Sequence, residues 1–136
     1  MNKHDAAHVF LRVILGLTFF IHGLAKFQGG ISNTAGFFDS LGIPGFLAYI
    51  VAGIELIGGL AVILGLGTRF VSILFSVILL GAIFTAKLPA GFLGNGQMAG
   101  YELDLALLAM SVYLVCANRT VFSLDDFFSK KGEVTI

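Results

Sequence analysis

The chain has 136 residues, 57% of them hydrophobic and 12% charged, and its eight basic and eight acidic residues cancel. A globular domain carries about 25% charged residues, and this much apolar side chain cannot be buried in a soluble core of such a size. Composition therefore points to one domain, residues 1–136, of an integral membrane protein, and it offers nucleic acid no basic cluster. A single cysteine, Cys116, excludes an internal disulfide and a Cys-x-x-Cys redox pair.

Met1 to His8 reads as a short polar lead. The first apolar stretch follows over 9–27; it carries Arg12 inside and is about as long as a full span, so it is expected to stay in the mature chain. Residues 28–45 read as a loop with a short interfacial helix near Phe37–Leu41, closed by Pro44, which starts helices well. The second span covers 46–66 with Glu55 near its middle, and Gly65 and Gly67 mark a tight turn after it. The third covers 70–87 and ends on Lys87. A glycine-rich loop with Pro89 leads to the fourth, 98–117, whose first turns hold Glu102 and Asp104. Residues 118–136 form a polar tail with an amphipathic start from Val121 to Phe128.

The expected fold is all-α, an integral membrane bundle of four transmembrane helices. Lys3, Arg12, Arg69, Arg119, Lys130 and Lys131 fall on one side, against Lys26 and Lys87 on the other. The positive-inside rule then gives a multi-pass plasma-membrane protein with both termini cytoplasmic.

At about 100° per residue, Arg12, Gly16, Phe19, Gly23 and Lys26 share one flank of the first helix, with His22 beside Lys26. Cations in hydrocarbon need partners, and Glu55, Glu102 and Asp104 are the acids in reach. Glu55 shares its side with Ala48, Val51, Ala52, Gly58, Gly59 and Val62, and it is expected to contact Arg12 or His22. Asp104 lies about 200° round from Glu102. Glu102, with Ala106, Ala109 and Tyr113, is expected to face the interior; Asp104 is expected to reach Lys87 or Lys26 at the rim, or to face headgroups. These residues outline a cavity bounded by His22, Lys26, Glu55, Tyr101 and Glu102. Gly23, Gly58, Gly59 and Ala106 would leave room for it, Phe19 and Phe20 would wall it, and the Gly91–Gly100 loop would lie over it. His22, Glu55 and Glu102 are its candidate proton-handling groups, and Arg12, Lys26, Tyr101 and Asp104 its ligand-binding or ion-pairing ones. A closed salt-bridge network that locks the helices is the competing reading. No metal signature, phosphate loop or dinucleotide fingerprint stands in the sequence.

Arg12-x-x-x-Gly16 with His22-Gly23-x-x-Lys26, Glu55-x-x-Gly58-Gly59 with Leu64-Gly65-x-x-x-Arg69, and Tyr101-Glu102-Leu103-Asp104-Leu105 together resemble the DoxX family of small four-helix membrane proteins. The resemblance runs from about Leu11 to Ala117. It implies membrane-bound oxidoreductases or subunits of them, some linked to thiosulfate oxidation with quinone as acceptor, others to oxidative or quinone-type stress. The chain carries no flavin, haem or dithiol signature, so no cofactor is encoded in it. A quinone dissolved in the bilayer suits an apolar pocket with a few polar groups. The expected partners are the lipid bilayer, a quinone and a partner redox enzyme, with homo-oligomerisation left open. Two other classes compete: a non-catalytic scaffold subunit, and a small proton-coupled transporter.

Overall fold

A computed structural model describes residues 2–117 and 122–128. Among the described residues, five α-helices of ten residues or more follow one another: α1 Lys3–Gln28, α2 Ile31–Ser40, α3 Phe46–Leu64, α4 Thr68–Ala82 and α5 Glu102–Cys116. A π-helical turn, Ile83–Lys87, and a 3-10 turn, Leu88–Ala90, continue α4. The fold is all-α: among the described residues the only β pairing is one isolated bridge, Gly94 to Ala99, inside the glycine-rich loop.

The polar lead is helical, contrary to expectation. Asn2 caps it by accepting from the Asp5 amide at 2.8 Å, and Asp5 stands in the positive first turn of the helix. The loop before α3 likewise holds a longer helix than the expected 37–41, because it starts directly after Gly30. Among the described residues, three helical stretches are long and apolar enough to cross a membrane: Lys3–Gln28, Phe46–Leu64 and Thr68–Ala90.

α1 and α3 touch backbone to backbone. A Cβ on Gly59 would stand 2.5 Å from the Phe20 nitrogen and 2.6 Å from the Gly16 oxygen, and one on Gly23 would stand 2.6 Å from the Leu56 nitrogen. Glycines here close the gap between helices, as small residues do in membrane bundles; they do not leave room for a cavity. The core joins this pair to α4 and α5. Leu15, Phe19, Val62, Phe75, Leu79, Leu107 and Leu114 form one cluster, with the Phe19 and Phe75 rings stacked at 3.8 Å.

α5 turns the opposite face inward from the one expected. Its buried residues are Asp104, Leu107, Ser111 and Leu114, whereas Glu102, Ala106, Ala109 and Tyr113 are exposed. The reason is volume. Leu107 and Leu114 fill the space against Phe75 and Leu79, which the alanine stripe could not.

The described part of the tail packs back on the bundle. Asp125 accepts from the Gly67 amide (2.9 Å) and the Thr68 amide (3.2 Å), capping α4, while its own amide donates to Gly65 O. Arg12 is buried and donates to Phe122 O at 3.0 Å, so it serves this end of the bundle and not the acids of the other end. The expectations for Arg119, Lys130 and Lys131 lie outside the described residues. Loss of a helix cap costs about 1 kcal/mol. Asp125→Ala should therefore lower the melting temperature by a few degrees, with Asp125→Asn recovering most of it.

Candidate functional site

Two lysine–carboxylate pairs stand toward the end opposite Arg12. Lys26, in the last turn of α1, stands 2.5 Å from Glu55 Oε1 in the middle of α3. Sequence reasoning expected Arg12 or His22 as the partner of Glu55. Side-chain direction explains the difference. Side chains lean toward the N-terminus of their own helix. In an antiparallel pair, Lys26 thus leans down toward Glu55 and Glu55 leans up toward Lys26, while Arg12 leans away.

Lys87 makes the second pair. Its Nζ donates to Asp104 Oδ1 at 3.2 Å and lies 3.0 Å from Oδ2. Lys87 ends the π-helical turn, whose extra residue shifts the register of the helix just before it. Asp104 is thus the buried acid of α5, contrary to expectation, and Glu102 is exposed. The rim partner expected for Asp104, Lys87, is the one it has. In both pairs the acidic side chain is nearly buried, at 8% and 9% exposure, and the lysine side chain is partly open, at 26% and 27%. A buried carboxylate needs such a partner, because its desolvation is otherwise uncompensated.

Both pairs line one cavity of about 230 Å³. It lies where the α1–α3 pair meets the α4–α5 pair. Phe19, Leu79 and Leu107 belong to its wall and to the core beneath it. Thr34, Phe37, Phe38 and Leu41 cover it from α2 and its end.

Three of the residues expected to bound the cavity do so: His22, Lys26 and Glu55. His22 is exposed and stands at the mouth. Tyr101 and Glu102 are not among the lining residues. Tyr101 packs edge-on against Phe92, with ring centroids 5.5 Å apart, and the Glu102 amide donates to Phe92 O. Phe20 is also outside the wall, its backbone lying against Gly59. Of the glycine-rich loop only Met98 reaches the cavity, so α2 supplies the cover expected from that loop. Sequence reasoning missed the α2 wall and the place of Lys87 in the cavity. Thr34, Phe37, Phe38 and Leu41 recur at helical spacing, which was the available signal.

Apolar helices with their buried acids held as two lysine–carboxylate pairs round one cavity define a small helical membrane protein with a polar site inside it. The chain belongs to the DoxX family, whose model matches residues 7–88. That match takes in Lys26, Glu55 and Lys87. The chain is 47% identical over 131 residues to a Bacillus subtilis protein named "Putative oxidoreductase CatD", covering 96% of this chain and 93% of the relative. It is 32% identical to an uncharacterized membrane protein of Mycobacterium tuberculosis, covering 90% and 81%. It is 25% identical to the inner membrane protein YqjF of Escherichia coli, covering 93% and 95%. No solved structure matches it.

Proposed function

We propose that the protein spans the plasma membrane four times, binds the ring of a quinone-type carrier in this cavity, and exchanges protons with it as an oxidoreductase or a subunit of one. The observation that carries the reading is the pairing of lysine and carboxylate twice over in one small, otherwise apolar cavity. An oxidised ring presents two carbonyl oxygens, which accept hydrogen bonds from ammonium groups. A reduced ring presents two hydroxyls, which donate to carboxylates. Each lysine–carboxylate pair offers both a donor and an acceptor, so it can serve either form. Reduction of such a ring takes two electrons and two protons. Glu55, Asp104 and His22 are the proton-exchanging groups, and a partner redox enzyme supplies the electrons. Lys26 and Lys87 stabilise negative charge on the ring oxygens.

Size supports the same class. Pockets for drug-sized ligands run from about 300 to 1,000 Å³, so about 230 Å³ suits one ring with its apolar tail outside. The name of the Bacillus subtilis relative is consistent with redox work. For the fourth span, α5 runs antiparallel to α4: Lys87 meets Asp104 at one end and Arg69 donates to Ala117 O at the other. Lysine and arginine asymmetry supports cytoplasmic termini.

The test is binding of a short-tailed quinone analogue to purified protein in lipid nanodiscs. Wild type should bind saturably. His22→Ala, at the exposed mouth, should weaken binding about fivefold, the worth of one hydrogen bond of about 1 kcal/mol, with an unchanged melting temperature. Glu102→Gln, outside the cavity, should change neither. Absence of binding by wild type would favour the scaffold reading. Unchanged binding in His22→Ala beside early melting would make the cluster a structural lock.

A further inference from the structure

We propose that the cavity exchanges water and protons with one face of the membrane only, the face at the Lys26 end of the bundle. The inference goes beyond the quinone reading and stands without it, because it concerns the two buried carboxylates whatever ligand they meet.

The opening lies on that side. The two lysine side chains are each about a quarter exposed, while the carboxylate side chains they pair with are nearly closed off. His22 is exposed and lines the same cavity. Lys26 stands in the last turn of α1 and Lys87 ends the π turn after α4, so both stand at the terminal turns of their helices. These three uncovered polar groups are the route by which aqueous protons would reach Glu55 and Asp104.

Below the carboxylates the bundle is packed with apolar side chains. Phe19, Leu79 and Leu107, each no more than 5% exposed, form the floor of the cavity. Leu15, Val62, Phe75 and Leu114 thicken it, and the stacked Phe19 and Phe75 rings close its centre. The hydroxyls at this depth offer no passage. Thr18 donates to Ile14 O at 2.7 Å, Ser76 to Ser72 O at 2.8 Å, and Ser111, between Leu107 and Leu114, to Leu107 O at 2.9 Å, all within their own helices. Packed aromatic and aliphatic side chains leave no voids that hold water.

A second polar layer lies beyond the floor, at the other end. It holds His8, Arg12, Thr68 and Ser72, all buried, with His8 in contact with the Tyr113 hydroxyl at 3.2 Å. The described tail packs over this end through Asp125 and Phe122. Among the described residues there are therefore two polar layers with an apolar seal between them, and the carboxylates that line the cavity belong to one layer alone. Any reaction in the cavity that takes up or releases protons does so on the Lys26 face. A proton-coupled transporter, by contrast, must expose its carboxylates to both faces in turn.

Cysteine accessibility tests this without any ligand. Cys116, exposed near the His8 end, reports the orientation of sealed vesicles in the parent protein; it is then replaced by serine. Ala82→Cys and Ala86→Cys each place a thiol in the wall of the cavity. A charged, membrane-impermeant methanethiosulfonate should modify both thiols when added on the Lys26 side, and the modification should be lost when it is added on the His8 side. Comparable modification from both sides would overturn the proposal, and so would no modification from either. One-sided modification in a protein that binds no quinone analogue would leave this inference standing and remove the quinone reading.

Discussion

Gly59→Val should destabilise the protein by about 3 kcal/mol or more, the upper range for overpacking, and lower its melting temperature accordingly. A Cβ at this position would stand 2.5 Å from the Phe20 nitrogen and 2.6 Å from the Gly16 oxygen. Those neighbours are backbone atoms of α1, which no rotamer change can move. The helices must separate, and the α1–α3 contact that Gly16 and Gly23 share is lost with them. Gly53 lies nearer the start of the same helix and has nothing within 4 Å of its would-be Cβ. Gly53→Ala should be neutral or raise stability by up to about 1 kcal/mol through helix propensity. Thermal unfolding in detergent, followed by circular dichroism, checks both. Equal melting temperatures for the two variants would mean that the close contact does not hold the bundle.

The two helices of this contact were legible in the sequence. The flank of Arg12, Gly16, Phe19 and Gly23 is the buried face of α1, and Ala48, Ala52, Glu55, Gly58, Gly59 and Val62 form that of α3. Helical periodicity suffices where apolar and small residues recur on a single stripe. It failed on α5 because that helix is apolar nearly all round, and two stripes, one of alanines and one of leucines, competed. The sequence does not state that Phe75 and Leu79 stand opposite and require bulk. Nor does it announce the π turn at Ile83–Lys87, which sets the angle of Lys87 and so decides which acid of α5 is paired. The glycines were recognised as small, but whether small means space or contact depends on how near the next backbone lies. Glu55 as the central acid needed only its depth; its partner needed the lean of side chains on antiparallel helices.

Breaking the Lys26–Glu55 pair from one side should be worse than removing it altogether. Glu55→Ala leaves an ammonium group at membrane depth beside the emptied position. Loss of one partner of a fully buried pair costs about 3–5 kcal/mol. Lys26 is a quarter exposed and stands in the last turn of its helix, so it can turn toward the interface and toward water. The expected loss is accordingly smaller, about 2 kcal/mol after that discount. Lys26→Met should cost about as much, because it strands an acidic side chain that is only 8% exposed and far from either end of α3. The double variant strands neither, so its stability should lie within about 1 kcal/mol of wild type, a strongly non-additive cycle. Strict additivity would show that the two groups are not coupled and that the pair is incidental to folding. Binding gives a different pattern from stability. If the pair serves a ring ligand as donor and acceptor, the double variant should melt like wild type yet bind the quinone analogue more weakly, because both hydrogen-bonding groups are gone. A double variant that regains binding along with stability would make Lys26 and Glu55 a lock between α1 and α3 and would leave Lys87, Asp104 and His22 to hold any ligand.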